Sequence, residues 1–210
     1  MIRVLVADDH AIVRRGLRQI LQELPGIDAV DEASNGQEAL ARVRKGEYRL
    51  VLLDISMPGI SGLDVLKQLR AERPKLPVLM LSMHPEEQYA VRALRAGASG
   101  YLTKETASEQ LATAVTRILE GRKYVSESLA EHIASELDHH GEHLPHEDLS
   151  DREFQIMRML ASGKTVTEIG AELSLSAKTV STYRARLLAK MGFRTNADIT
   201  RYALQHNLLE

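Results

Sequence analysis

The sequence predicts an α/β unit built on a parallel five-stranded sheet, followed by an all-α unit of four helices. Three observations predict it. Across the first 120 residues, five short apolar runs alternate with five amphipathic stretches, the pattern of strand–helix units around a parallel sheet. Over the last 62 residues only the helical period remains. Between them lies a polar tract broken by Gly and Pro, His139-His140-Gly141-Glu142-His143-Leu144-Pro145-His146-Glu147-Asp148, with the composition of a hydrated linker. The expected division is therefore 1–120, 121–148 and 149–210, the middle segment helical at first and then flexible.

The elements follow in order. Ile2–Ala7 (IRVLVA) reads as the first strand, and 29–33, 50–53, 78–81 and 99–102 read as the others. Helices are expected at 10–24, Gly36–Lys45, 61–73, 85–96 and 108–120. In the first of these, Ile12, Leu17, Ile20, Leu21 and Leu24 recur at helical spacing. Asn35-Gly36, Pro58-Gly59 and Ala96-Gly97 punctuate the boundaries. Val51-Leu52-Leu53 and 78–81 are nearly all apolar, as strands covered on both faces require. A further helix over 126–137 opens the linker. In the last part, Ser150 with Glu153 three positions on has capping-box spacing, and helices follow at 151–162, Val166–Leu173, Ala177–Met191 and 196–206.

Composition narrows the function classes. No apolar run approaches the ~18 residues that span a bilayer. Asp8 follows the first apolar run too soon for a secretory signal, which needs ~7–15 apolar residues. The chain has no Cys, which removes disulfide scaffolds, thiol nucleophiles and Cys-ligated metal sites. A cytoplasmic protein is expected. The net charge of −2 conceals an uneven distribution. Residues 1–120 balance 16 basic against 16 acidic side chains, 121–148 carry 2 against 7, and 149–210 carry 9 against 6. Five cations and no acid lie between Ser176 and Arg194: Lys178, Arg184, Arg186, Lys190 and Arg194. Such a concentrated basic stretch is the footprint of a polyanion-binding surface.

In open parallel sheets, ligands bind beyond the carboxyl ends of the strands. Asp8 and Asp9 follow the first expected strand, Asp54 the third, Ser82 the fourth and Lys104 the fifth. Any one of them reads as a helix cap or loop residue; five at the right strand ends read as one site. Clustered carboxylates resist ionisation without a cation, and Mg²⁺ accepts a few carboxylates plus waters and phosphate oxygens. The cluster suits phosphoryl chemistry, with a metal and a lysine neutralising the transferred group while a carboxylate accepts it. Asp54, at the centre, is the acceptor candidate.

Asp8-Asp9-His10, Asp54-Ile55-Ser56-Met57-Pro58, Ser82 and Lys104 together resemble a bacterial two-component response regulator of the NarL/FixJ type. The resemblance covers essentially all 210 residues. It implies a flavodoxin-like (βα)5 receiver followed by a LuxR-like helix-turn-helix. It further implies that Asp54 is the phosphoacceptor, that Asp9, Asp54 and the carbonyl of Ser56 hold Mg²⁺ directly, and that Asp8 helps through water. Lys104 would pair with the phosphoryl group, Ser82 would turn inward to bond it, and Tyr101 would follow Ser82 as an aromatic switch. His10 reads either as a metal-adjacent group or as a helix start, and the same resemblance places it at a helix start. His84 stands two residues past Ser82, at the mouth of the site. His139, His140, His143 and His146 fit no compact metal motif and read as solvated linker.

The helical part carries its own signal. Val166–Leu173, a turn at Ser174-Leu175-Ser176, and Ala177–Met191 form helix, turn and helix. On the second helix Val180, Leu187, Leu188 and Met191 share an apolar face. The opposite face presents Lys178, Ser181, Thr182 and Ala185, flanked by Arg184 and Arg186. Short side chains bracketed by cations suit insertion into a major groove. The resemblance assigns Ser181, Thr182 and Ala185 to base edges and Lys178, Thr179, Arg184, Arg186 and Lys190 to the DNA backbone. It makes the final helix a dimerisation element.

The expected protein is a transcriptional response regulator whose DNA binding and dimerisation are controlled by phosphorylation. Its partners are a sensor histidine kinase, double-stranded promoter DNA, RNA polymerase and a second copy of the chain, with no membrane. Two rivals stand beside it. A phosphatase with an Asp nucleophile of the haloacid-dehalogenase type needs a second Asp two residues on, where this chain has Ser56. The other rival, a DNA-binding protein whose first domain only dimerises, leaves the acidic site without a purpose. The expected protein is no enzyme beyond its own phosphorylation and dephosphorylation.

Overall fold

A computed structural model of the chain describes every residue except His84, 139–143, Asn207 and Glu210, and the side chains of Glu87, Gln88, His132 and 135–138. It divides into two compact units, Met1–His139 and His140–Glu210. The expectations about His84, His139, His140 and His143 lie outside the described residues.

The first unit runs β1 (Ile2–Ala7), α1 (Ala11–Gln22), β2 (Ile27–Ala33), α2 (Gly36–Lys45), β3 (Leu50–Asp54), α3 (Gly62–Glu72), β4 (Val78–Ser82), α4 (Glu86–Arg95), β5 (Gly100–Thr103), α5 (Ala107–Leu119) and α6 (Glu127–Asp138). The sheet order is β2-β1-β3-β4-β5, and every pairing is parallel. The order reverses between β1 and β3, which creates a crevice at their carboxyl ends. All five residues of β3 and of β4 are buried, because helices cover both faces. Val4, Val6, Leu52, Leu79, Leu81 and Leu102 from the strands pack with Leu17, Leu21, Leu111 and Val115 from α1 and α5. Each large apolar side chain so buried contributes about 1.5–3 kcal/mol.

One expectation about the first helix needs correction. Ile12, counted in the apolar stripe of the first helix, is 86% exposed. The stripe is instead Val13, Leu17, Ile20, Leu21 and Leu24, since Leu17 lies four residues from Val13 but five from Ile12, about 140° further round the helix. The segment that follows α5 is packed. Tyr124 bridges Gly100 at the start of β5 and donates its hydroxyl to Gln110 at 3.0 Å. Ser126 caps α6, accepting from Leu129 N at 3.1 Å, and Leu129 is buried.

The second unit comprises a 3-10 turn (Pro145–Asp148), α7 (Asp151–Ala161), α8 (Val166–Leu173), α9 (Ala177–Met191) and α10 (Asn196–Gln205). Three helices start with capping boxes: Ser150 with Glu153, Thr165 with Glu168, and Thr195 with Asp198. Each satisfies two backbone N–H groups that the helix itself leaves unpaired. Phe154, Met157, Ile169, Val180, Leu187 and Ile199 are buried. His146, expected as solvated linker, belongs to this unit. Its Nδ1 is hydrogen-bonded to the Tyr202 hydroxyl at 2.9 Å, and its ring lies 5.9 Å from that of Phe154.

Candidate functional site

Strand ends place the first site. Asp8 directly follows β1, Asp54 ends β3, Ser82 ends β4 and Lys104 directly follows β5, so all lie on the carboxyl rim beside the switch point. Backbone bonds fix them there. Asp8 N donates to Ala33 O at 3.1 Å, and Lys104 N donates to Ser82 O at 2.7 Å. A Cβ at Gly62 would sit 2.0 Å from the Asp54 carbonyl oxygen. Only glycine lets α3 start this close to the end of β3.

Asp8 and Asp54 are fully buried, and Lys104 Nζ lies between them, 2.7 Å from Asp8 Oδ2 and 2.9 Å from Asp54 Oδ2. One ammonium faces two carboxylates, with Asp9 beside them, so the cluster holds excess negative charge. Burial pushes the Asp54 carboxyl up to about 6; Lys104 opposes the shift and Asp8 reinforces it. Burial alone would lower the Lys104 ammonium, but Asp54 and Asp8 overcome it and hold it above its ordinary value. The remaining Asp54 oxygen, Oδ1, accepts a 3.3 Å bond from Ser56 N. The Ser56 hydroxyl is buried without a partner.

Donor atoms from Asp8, Asp9, His10 and Asp54 all lie within 4.8 Å of one another. An Mg²⁺ ion with ligands at ~2.1 Å spans ~4.2 Å across its octahedron, so the carboxylate oxygens among these donors fit the ion with small adjustments. Their unbalanced charge favours it as well.

Ser82 and Tyr101 are both fully buried. Ser82 pairs with Thr103 and Met80 with Tyr101 in the β4–β5 register. Residues two apart on a strand share a face, so Ser82 and Tyr101 lie on one face of neighbouring strands. Arg14 was not foreseen. Its Nη1 donates to the Asp8 carbonyl at 2.7 Å, while its Nε is paired with Glu32 at 3.3 Å. No local sequence signal marks Arg14, because Glu32 is eighteen residues away.

In the second unit α8 ends at Ser174, which adopts a left-handed conformation (φ 54°). A Cβ at Gly170 would lie 2.7 Å from Leu175 O, so the turn closes against a bare backbone. Ser176 then caps α9 by accepting from Thr179 N at 3.0 Å. Lys178, Ser181, Thr182, Ala185 and Arg186 are exposed, opposite buried Val180, Leu187 and Met191. Thr179 is half-buried, with its hydroxyl 2.8 Å from that of Ser176. Arg184 donates Nε to Asn196 Oδ1 at 2.7 Å. Lys190 is exposed as well, but its ammonium is paired. It turns to α7, where its Nζ meets Glu153 at 2.7 Å and the Asp148 carbonyl at 3.2 Å.

A switch-point acidic cluster in one unit and a helix-turn-helix in the next define a two-domain signalling protein. Residues 4–116 match the response regulator receiver domain, and residues 147–203 match the bacterial regulatory proteins of the luxR family. The chain belongs to the response regulators with a LuxR-type DNA-binding domain: a transcription regulator that works with a histidine kinase and acts through phosphorylation. It is 37% identical to response regulator UvrY of Escherichia coli over 209 residues, covering 99% of this chain and 96% of that protein. It is 34% identical to response regulator GacA of Pseudomonas aeruginosa over 211 residues, covering 100% and 99%. Among solved structures it is similar to RcsB of Salmonella enterica serovar Typhimurium bound to the rprA promoter in the presence of phosphomimetic BeF3⁻. That likeness has a TM-score of 0.66 and 25% identity, over 96% of this chain and 97% of that one.

Proposed function

We propose that Asp54 accepts a phosphoryl group from the histidine of a sensor kinase. The observation that carries this reading is the burial of Asp54 against Lys104 at the carboxyl end of the central strand. An Asp54 oxygen attacks phosphorus; the carboxylate–phosphorus bond forms as the phosphorus–nitrogen bond of the donor breaks, and the histidine nitrogen keeps the electron pair. Lys104 stays beside the acceptor and pairs with the phosphoryl oxygens as they arrive. Asp9, Asp54 and the Ser56 carbonyl would hold Mg²⁺, with Asp8 assisting through water. The ion supplies charge neutralisation for the cluster and the incoming phosphoryl group. Ser82 turns to the phosphoryl oxygens and Tyr101, on the same face, follows it, forming the bistable element.

α9 enters the major groove of promoter DNA. Ser181, Thr182 and Ala185 face base edges, while Lys178, Thr179, Arg184 and Arg186 contact phosphates. Arg184 must leave Asn196 to do so, and Lys190 contributes by holding α7 rather than by touching DNA. Phosphorylation favours a homodimer, with α10 as pairing element, and RNA polymerase is a further partner at the promoter. The receiver does no chemistry beyond its own phosphorylation and dephosphorylation. The protein works in the cytoplasm; among the described residues no helix is long and apolar enough to cross a membrane. Labelling by acetyl phosphate with Mg²⁺, read by intact mass, tests the assignment. Wild type should gain one phosphoryl group and Asp54→Asn none, with circular dichroism unchanged. Labelling of the variant at the wild-type rate would refute it.

A further inference from the structure

The ring of His10 points beyond Mg²⁺. His10 is the N-cap of α1, a position where Ser, Thr, Asp and Asn accept a backbone N–H, yet its side chain makes no capping bond. The ring is turned onto the acidic cluster instead. Nδ1 lies 2.8 Å from Asp9 Oδ1 and 3.3 Å from Asp8 Oδ1, and the backbone N–H of His10 donates to that same Asp8 oxygen at 2.8 Å. Lys104 occupies the other oxygens, Asp8 Oδ2 and Asp54 Oδ2. Two donors at right angles ~2.1 Å from an ion stand ~3.0 Å apart, and two at the tetrahedral angle about 3.4 Å. The His10–Asp9 separation is close to the first of these edges, while Asp8 Oδ1, 3.3 Å from the ring, borders the same space.

We propose that His10 Nδ1 is a further donor of the acidic site, which thereby takes a nitrogen-accepting divalent transition ion of the Co²⁺, Ni²⁺ or Zn²⁺ class in competition with Mg²⁺. The inference rests on the reading of the neighbouring carboxylates as metal ligands. Mg²⁺ demands oxygen donors, whereas imidazole suits the later ions. Carboxylates alone already bind the later ions more tightly than Mg²⁺, so the share owed to the ring is what its removal takes away. Ligation through Nδ1 leaves the ring proton on Nε2. The His10 side chain is 62% exposed, so that proton can be hydrated.

The test uses the full chain as wild type, His10→Ala and Asp54→Asn, titrated calorimetrically with Co²⁺ and with Mg²⁺, and loaded with Mn²⁺ for pulsed EPR. Wild type should bind one Co²⁺ that excess Mg²⁺ displaces, and its Mn²⁺ should show nitrogen coupling. His10→Ala should bind Co²⁺ at least tenfold more weakly, change less than twofold toward Mg²⁺, and lose the nitrogen coupling. Equal losses for both ions, no loss, or nitrogen coupling that survives in His10→Ala would overturn the role of His10 alone. A wild type that binds neither ion, or Asp54→Asn binding both unchanged, would instead overturn the carboxylate reading and this inference with it.

Discussion

The burial of Asp54 comes at a cost to stability. Its carboxyl titrates near 6 in the folded chain against an ordinary value of 3.8, so the folded state binds more protons between those limits. Stability therefore falls as pH rises through that window, and the ionised form costs up to about 3 kcal/mol above it. Asp54→Asn, which removes that charge, should be more stable than wild type at pH 7 by up to about 3 kcal/mol. The advantage should shrink below pH 6 and be gone near pH 4, as denaturant unfolding at both values will read. Saturating Mg²⁺ should narrow the gap by stabilising wild type alone. An Asp54→Asn variant no more stable at pH 7 would show that the site is not strained by its charge. Arg14 acts on the same loop through the Asp8 carbonyl. Arg14→Ala should weaken Mg²⁺ about tenfold, as loss of an outer-shell support does, whereas Arg18→Ala, which shares Glu32 without touching Asp8, should not. Equal Mg²⁺ affinities in the two variants would remove Arg14 from the site. Asp8, Asp9, Asp54 and Lys104 were legible because each follows a strand that reads plainly as apolar. Arg14 was not, because its partners come from other elements.

At the scale of elements, the recognition helix separates cations that read alike in sequence. Lys178, Arg186 and Lys190 all sit in one acid-free stretch, but Lys190 meets the capping carboxylate of α7. Lys190→Ala should cost about 1 kcal/mol in thermal unfolding of the second unit, within the range of partly exposed pairs, and leave the salt slope of DNA binding unchanged. Arg186→Ala should lower that slope by ~1, the loss of one phosphate contact, with little effect on unfolding. Thr182→Ala should instead relax preference at one base pair by ~1–3 kcal/mol in a binding-site selection. A salt slope lowered by Lys190→Ala, or an unchanged selected motif in Thr182→Ala, would mean that α9 is rotated from the orientation proposed. The limits of α2, α8 and α9 were readable to the residue, since caps and glycines mark them. What escaped was tertiary. Ile12 satisfied a loose helical count but not the face that meets the sheet, and His146 looked like linker until Tyr202 and Phe154, both distant in sequence, enclosed it. The helix after residue 126 was expected; its packing on the receiver was not, because Tyr124 and Leu129 carry no periodic signal by themselves.

At the scale of the whole molecule, Asp54 and α9 lie in different units. Their coupling is a free energy between two sites, and it is reciprocal. If phosphorylation acts by pairing two copies, the gain belongs to the second recognition helix. That helix then meets its half-site at the effective concentration set by the dimer, rather than at the concentration of free protein. A probe with two half-sites centred about 10.5 base pairs apart, or a multiple of that, should bind the phosphorylated chain at least tenfold more tightly than the unphosphorylated one. A probe with one half-site should bind both forms alike, and Asp54→Asn should match unphosphorylated wild type on either probe. Moving one half-site by five base pairs should abolish the gain, because it turns that half-site to the opposite face of the duplex. Reciprocity adds a second readout at equilibrium: the two-half-site probe should tighten binding of the phosphoryl mimic BeF3⁻ by the same factor, and the single half-site should not. An equal gain on the single half-site would locate the effect within one copy, in the accessibility of α9, and would overturn pairing as the route from Asp54 to DNA.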